Sequence, residues 1–142
     1  RIPKVLRCTI NGVNSVTQWA ALAAITGDQA QLRAMCDEYE VRRDIMARAL
    51  GGIPGVQAFV PRGGFFIWAE LDPALYHALG VTNADELSGL LAEHGIGSAP
   101  GDAFGRTCDD AIRFSFSCAT SMVKEGAVVL RDVLLGQAAK AA

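Results

Sequence analysis

The stretch Ala111-Ile112-Arg113-Phe114-Ser115-Phe116-Ser117 decides the fold. It alternates strictly, placing Ile112, Phe114 and Phe116 on one face and Arg113, Ser115 and Ser117 on the other, as a strand with one buried face requires. Two-sided strands belong to antiparallel sheets with one covered and one open face. Arg113 stands mid-strand on the polar side, where a guanidinium needs a carboxylate, a phosphate or water. By strand position alone, the water-facing arrangement is the commoner one.

Working outward, Val56-Gln57-Ala58-Phe59-Val60 and residues 64–71 (GFFIWAEL) are rich in β-branched and aromatic residues, and Pro61-Arg62-Gly63 separates them, predicting a β-hairpin. Asn83 with Glu86 forms a capping signature for a helix with Leu87, Leu90 and Leu91 inward. Gly95 ends that helix before a short extended stretch, IGSAP at 96–100, and a loop, GDAFGRTCDD at 101–110. After the deciding strand, Ser121 is positioned to cap a helix whose Val123, Ala127, Leu130 and Leu134 form one apolar line. An alanine-rich tail follows, expected to fray.

Upstream, Ser15 with Gln18 predicts a capped helix over about 15–26, stopped by Gly27 in a left-handed conformation. Asp28 with Gln31 repeats the cap for a longer helix reaching about Leu50. Leu32, Met35, Tyr39, Met46 and Leu50 recur on it at helical spacing, and Glu38–Arg42 and Asp44–Arg48 are favourable pairs four apart. The order of elements predicts an α+β fold. It is a two-layer sandwich, a small mostly antiparallel sheet with helices on one face, preceded by a long connecting helix. The change of character near residues 27–28 divides the chain into 1–27, the end of another body, and 28–142, a domain of its own.

The chain has 142 residues, 51% hydrophobic and 20% charged, with a net charge of −2. That is enough for one domain with a real core. The balance excludes disorder by composition and exerts no electrostatic pull toward nucleic acid. The start, Arg1-Ile2-Pro3, lacks a methionine and suggests a piece of something longer. No export signal is visible, and the longest apolar run, Trp19–Ile25, falls far short of the ~20 residues that cross a bilayer. No membrane partner and a cytoplasmic setting are therefore expected. Cys8, Cys36, Cys108 and Cys118 are scattered and His77 and His94 are the only histidines, so no metal site or disulfide framework is suggested, and the thiols are expected to be buried. Trp19 and Trp68 are expected in a core or an interface.

No nucleophile elbow, HExxH or phosphate-cradling loop is present, and Gly63-Gly64 and Pro100-Gly101 read first as turns. In order and spacing, however, several segments resemble the C-terminal part of class I/II aminotransferases, the fold-type I enzymes that use pyridoxal phosphate. They are the helix with Gln18 and Ala20-Ala21, VRRD at 41–44, PRGGFFIWAEL at 61–71, IGSAPGDAFG at 96–105 and IRFSFS at 112–117. The resemblance implies that Arg113 grips the substrate's α-carboxylate, reversing the reading from strand position. It implies more weakly that Gly64 and Phe65 approach the substrate, and that Asn14 and Ser15 lie near the cofactor at a subunit interface.

The same resemblance implies a homodimeric parent enzyme that moves an amino group between an amino acid and a 2-oxo acid with pyridoxal phosphate. The Schiff-base lysine, the aspartate that pairs with the pyridine nitrogen and the phosphate-binding groups of such enzymes lie upstream of the matching region. Lys4, Lys124 and Lys140 are the only lysines, and none matches the cofactor lysine. The expectation is a substrate clamp with no catalytic residue of its own, no bound cofactor and no activity in isolation. Two other readings stay open, an aminotransferase-like effector domain of a transcription regulator and a stand-alone α+β ligand-binding domain.

Overall fold

A computed structural model describes residues 2–10 and 12–136. The chain forms two compact units, Arg1–Cys36 and Asp37–Ala142. The first contains α1 (Ile2–Thr9), α2 (Ser15–Thr26) and the opening turns of α3 (Ala30–Leu50). No side chain of α1 or α2 is buried, and Trp19 is 71% exposed. Nothing in the sequence reading anticipated α1, which has no core contacts to mark it.

Of the two caps expected in this unit, the first moves by one residue and the second stands on Asp28 with a different glutamine. Asn14, not Ser15, caps α2, its Oδ1 accepting from the Val16 amide at 2.8 Å, while the Gln18 side-chain Nε2 donates to the Val13 carbonyl. Asparagine serves as a cap at least as well as serine, so the boundary moves to it. Gly27 is not left-handed. Its φ is −76°, and its N–H donates to the Ala23 carbonyl at 2.8 Å as the chain leaves in an extended conformation. Asp28 Oδ1 accepts from the Ala30 amide, and Gln29 rather than Gln31 bonds back, to the carbonyls of Ala24 and Gly27.

The second unit is α+β, with a four-stranded antiparallel sheet in the order β1-β2-β4-β3. Its strands are β1 (Val56–Phe59), β2 (Phe66–Leu71), β3 (Ser98–Pro100) and β4 (Ala111–Ser115). The expected hairpin is β1–β2, and the deciding strand is β4, at the centre of the sheet. Ile67, Ala69 and Leu71 from β2, with Ile112 and Phe114 from β4, make the covered face. Helices α3, α5 (Ala84–Glu93) and α6 (Thr120–Leu134) contribute Met46, Leu50, Leu87, Leu91, Val123 and Leu130 to the same core. Each such side chain contributes roughly 1.5–3 kcal/mol by leaving water. Leu32 and Met35, expected inward on α3, are half exposed instead.

A short helix, α4 (Pro73–Ala78), lies where the sequence reading placed none. Asp72 accepts from the Ala74 amide at 2.8 Å and Pro73 occupies the first turn, a favourable start. Asn83 caps α5 as expected, accepting from the Glu86 amide, and Glu86 bonds back to the Thr82 amide. Gly95, with φ +79°, is the left-handed stop. Ser121 does not cap α6. The helix starts at Thr120 after Ala119, which makes no side-chain cap, and the Thr120 hydroxyl is engaged by α3 instead. Asp44 pairs with Arg43 at 2.7 Å rather than with Arg48, because the Arg43 fork reaches Asp44 and Glu40 together. The thiols are not buried. Cys8, Cys36 and Cys118 are exposed and Cys108 is half-buried, since each lies on a helix or turn without cover. The tail expected to fray lies outside the described residues.

Candidate functional site

The register of β2 against β4 puts Trp68 directly opposite Arg113, and β3 places Ala99 on its other side. Phe66 and Trp68 share the open face of β2 with Arg113, because side chains two apart on a strand point the same way. Beyond β3 a 3-10 turn, Gly101–Phe104, carries Phe104 back over β4. The Arg113 guanidinium carbon lies 4.0 Å from the ring centre of Phe66 and 4.4 Å from that of Phe104. One ring comes from the neighbouring strand β2 and the other from the turn that follows β3. Trp68 meets Phe104 edge-on, with centroids 5.8 Å apart at 78°.

This turn depends on Gly101. A Cβ there would collide with the carbonyl oxygen of Cys108 and come within 2.8 Å of that of Ala111. The close approach is what lets the Gly101–Phe104 segment fold onto β4 and deliver Phe104 to the guanidinium.

Arg113 is half-buried, and its Nε is shut off from solvent with no hydrogen-bond partner among the described residues. Neither terminal nitrogen is buried, and neither donates to any described residue. The exposed part of the guanidinium is thus its terminal fork. An orphaned buried donor costs about 1–3 kcal/mol. Two rings against a cation return roughly 0.5–2 kcal/mol each. The balance keeps a cation in place on the sheet with its bidentate end unengaged, a geometry that matches a carboxylate or phosphate.

The other sequence-predicted positions fall in different places. Gly64 adopts φ +77° at the end of the hairpin loop, with open space where a Cβ would stand. Phe65 follows it, its ring 4.6 Å from that of Phe66 and its carbonyl accepting from the Phe116 amide at 3.0 Å. Gly64, Phe65 and Arg113 therefore belong to one unit, and Phe65 is linked to the guanidinium through Phe66. Asn14 and Ser15 are in the first unit, where Asn14 spends its side chain on the cap of α2. Sequence reasoning passed over Phe66 and Phe104 as partners of Arg113. Strand alternation could have paired Phe66 with it, whereas no pattern in a single sequence marks Phe104.

Residues 5–130 match the family model described as aminotransferase class I and II. The chain is 32% identical over 123 residues to an aspartate aminotransferase of Musicola paradisiaca, with 86% of this chain and 30% of that protein covered. It is equally similar, 32% over 123 residues, to an LL-diaminopimelate aminotransferase of Syntrophobacter fumaroxidans, covering 87% and 30%. It spans less than a third of the length of these relatives. Among solved structures, the aromatic aminotransferase of Pyrococcus horikoshii superposes with a TM-score of 0.76 at 23% identity, over 94% of this chain and 35% of that one, a likeness of fold. The family match covers the long helix, the whole sheet and most of α6, and on this ground the chain belongs to the class I and II aminotransferases.

Proposed function

We propose that this chain is the substrate-carboxylate clamp of a pyridoxal-phosphate-dependent aminotransferase, which exchanges an amino group between an amino acid and a 2-oxo acid. In this reading residues 28–142 form the small domain and residues 1–27 end the cofactor domain. The observation that carries it is the Arg113 guanidinium, against two rings and with no partner for its terminal fork among the described residues. A planar fork accepts an α-carboxylate through two parallel hydrogen bonds, fixing the position of the amino group and the Cα–H bond. Gly64 and Phe65 then border the substrate, and Asn14 and Ser15 approach the cofactor.

In this reading the pyridoxal phosphate site is built by the rest of the enzyme. Such a site asks for a lysine amine kept from water, and the two lysines among the described residues, Lys4 on α1 and Lys124 on α6, are both exposed. The reacting groups belong to the rest of the enzyme, and the isolated chain is expected to transfer no amino group. The exposed apolar side chains of α2, Val16, Trp19, Leu22 and Ile25, support burial in a larger assembly, a homodimer. A cytoplasmic setting accompanies the reading.

The test is kinetic, on the enzyme that carries this chain. Amino transfer to a 2-oxo acid should fall in kcat/KM by about 100-fold or more on Arg113→Gln. Full activity in that variant would refute the assignment.

A further inference from the structure

We propose that Phe66 and Phe104 are positioning residues that hold the Arg113 guanidinium end-on, so that a carboxylate meets only its two terminal nitrogens. This rests on the reading of Arg113 as the carboxylate-binding group. Three observations lead to it. The guanidinium carbon is 4.0 and 4.4 Å from the two ring centres, close enough for both rings to act on the cation. The Nε is sealed from solvent without a partner, so a side-on approach through Nε and one terminal nitrogen is closed. No described carboxylate or hydroxyl bonds to the guanidinium, so polar contacts do not set its plane.

An arginine has several rotatable bonds, and on an open sheet face it would lose much of that freedom only when a ligand arrived. The rings remove this freedom beforehand. A clamp of aromatic faces does so without competing for the donors, which a carboxylate clamp would occupy. Preorganisation of this kind raises affinity by lowering the ordering cost of binding. Phe104 comes from the turn that Gly101 makes possible, so the clamp ties the loop between β3 and β4 to the strand that carries the arginine.

Phe66 and Phe104 are 37% and 49% exposed, so leucine at either position should leave the core intact. The test compares the wild-type chain with Phe66→Leu, Phe104→Leu, Phe104→Tyr and Arg113→Gln, titrated with acetate and pyruvate by nitrogen-15 NMR. In the wild type, ring currents should move the Arg113 Nε–H proton upfield, and its relaxation should report an ordered side chain. Both signatures should weaken in the leucine variants, with affinity for either carboxylate falling about three- to tenfold. Phe104→Tyr should restore them. Leucine variants that keep wild-type shift, order and affinity, while Arg113→Gln binds nothing, would overturn the clamp and leave the carboxylate assignment standing. Undiminished binding by Arg113→Gln would overturn the assignment itself, and the clamp's role with it, even if the ring-current shift were present.

Discussion

Thr120, the first residue of α6, donates its hydroxyl to Glu38 Oε1 at 2.9 Å across 82 positions of sequence. The same hydroxyl accepts from Arg42 Nε at 3.0 Å, and Arg42 Nη2 meets Glu38 at 2.5 Å, closing a three-membered network. It joins the α3 part of the second unit to the start of α6, a helix that has no side-chain cap. Thr120→Val keeps the shape and removes both bonds, and should cost about 1 kcal/mol in urea unfolding. Hydrogen bonds from Arg42, then from Thr120, hold the Glu38 carboxyl below its usual range. A depressed carboxyl stabilises the fold above its unfolded value near 4.5, and that stability is lost as pH falls through the lower folded value. Glu38→Gln should therefore flatten the acid limb of the stability curve below about pH 4.5.

Tyr76 behaves in the opposite sense at the alkaline end. Its hydroxyl is buried without a hydrogen-bond partner among the described residues, and burial, with the nearby Asp110 charge, pushes its pKa from 10.0 up to about 12. The neutral phenol is the form the fold accommodates. Its contribution is intact below pH 10 and disappears as pH rises toward 12. Tyr76→Phe should remove this alkaline loss. Because no bond is broken, it should be neutral or stabilising at pH 7, which thermal melts of the two proteins across pH 7–12 would establish.

Gly101→Ala should be among the most damaging single-methyl changes in the chain. The added carbon meets two backbone carbonyls that cannot swing aside, so the turn must move. A loss of about 3 kcal/mol is expected, with Phe104 displaced from Arg113. Denaturant unfolding measures the first effect and the Phe104 ring-current shift on Arg113 the second. Gly64→Ala, where a Cβ enters open space, should cost only the strain of its positive φ.

The core and the first unit should respond differently to truncation. Leu91→Ala leaves a cavity at a fully buried site and should cost about 2–5 kcal/mol. Trp19→Ala, at an exposed position, should change the stability of the isolated chain by less than about 0.5 kcal/mol. In the whole enzyme the same change should weaken assembly, as sedimentation would show.

What could be read from sequence alone was the part ruled by local periodicity. The alternation of 111–117, the Asn83–Glu86 cap and the Leu87–Leu91 stripe each have one sufficient cause within a few residues, and each stands in the structure. α1 was missed because it has no buried face, and α4 because six residues are too few for a period to register. The cap of α2 moved from Ser15 to Asn14 because neighbouring asparagine and serine side chains compete for the same orphan amides. Arg113 could be picked out by its place in the strand and by family resemblance. Of its ring partners, Phe66 was within reach of strand alternation in the predicted hairpin, whereas Phe104 was not, since it arrives from a loop.

The most direct test of the central claim is a titration of the chain with pyruvate and with L-alanine, followed on the guanidinium nitrogens of all its arginines. The account predicts one saturable shift, on the terminal nitrogens of Arg113, produced by both ligands and absent with methylamine, which has no carboxylate. Saturable shifts on other arginines, with Arg113 unmoved, would contradict it.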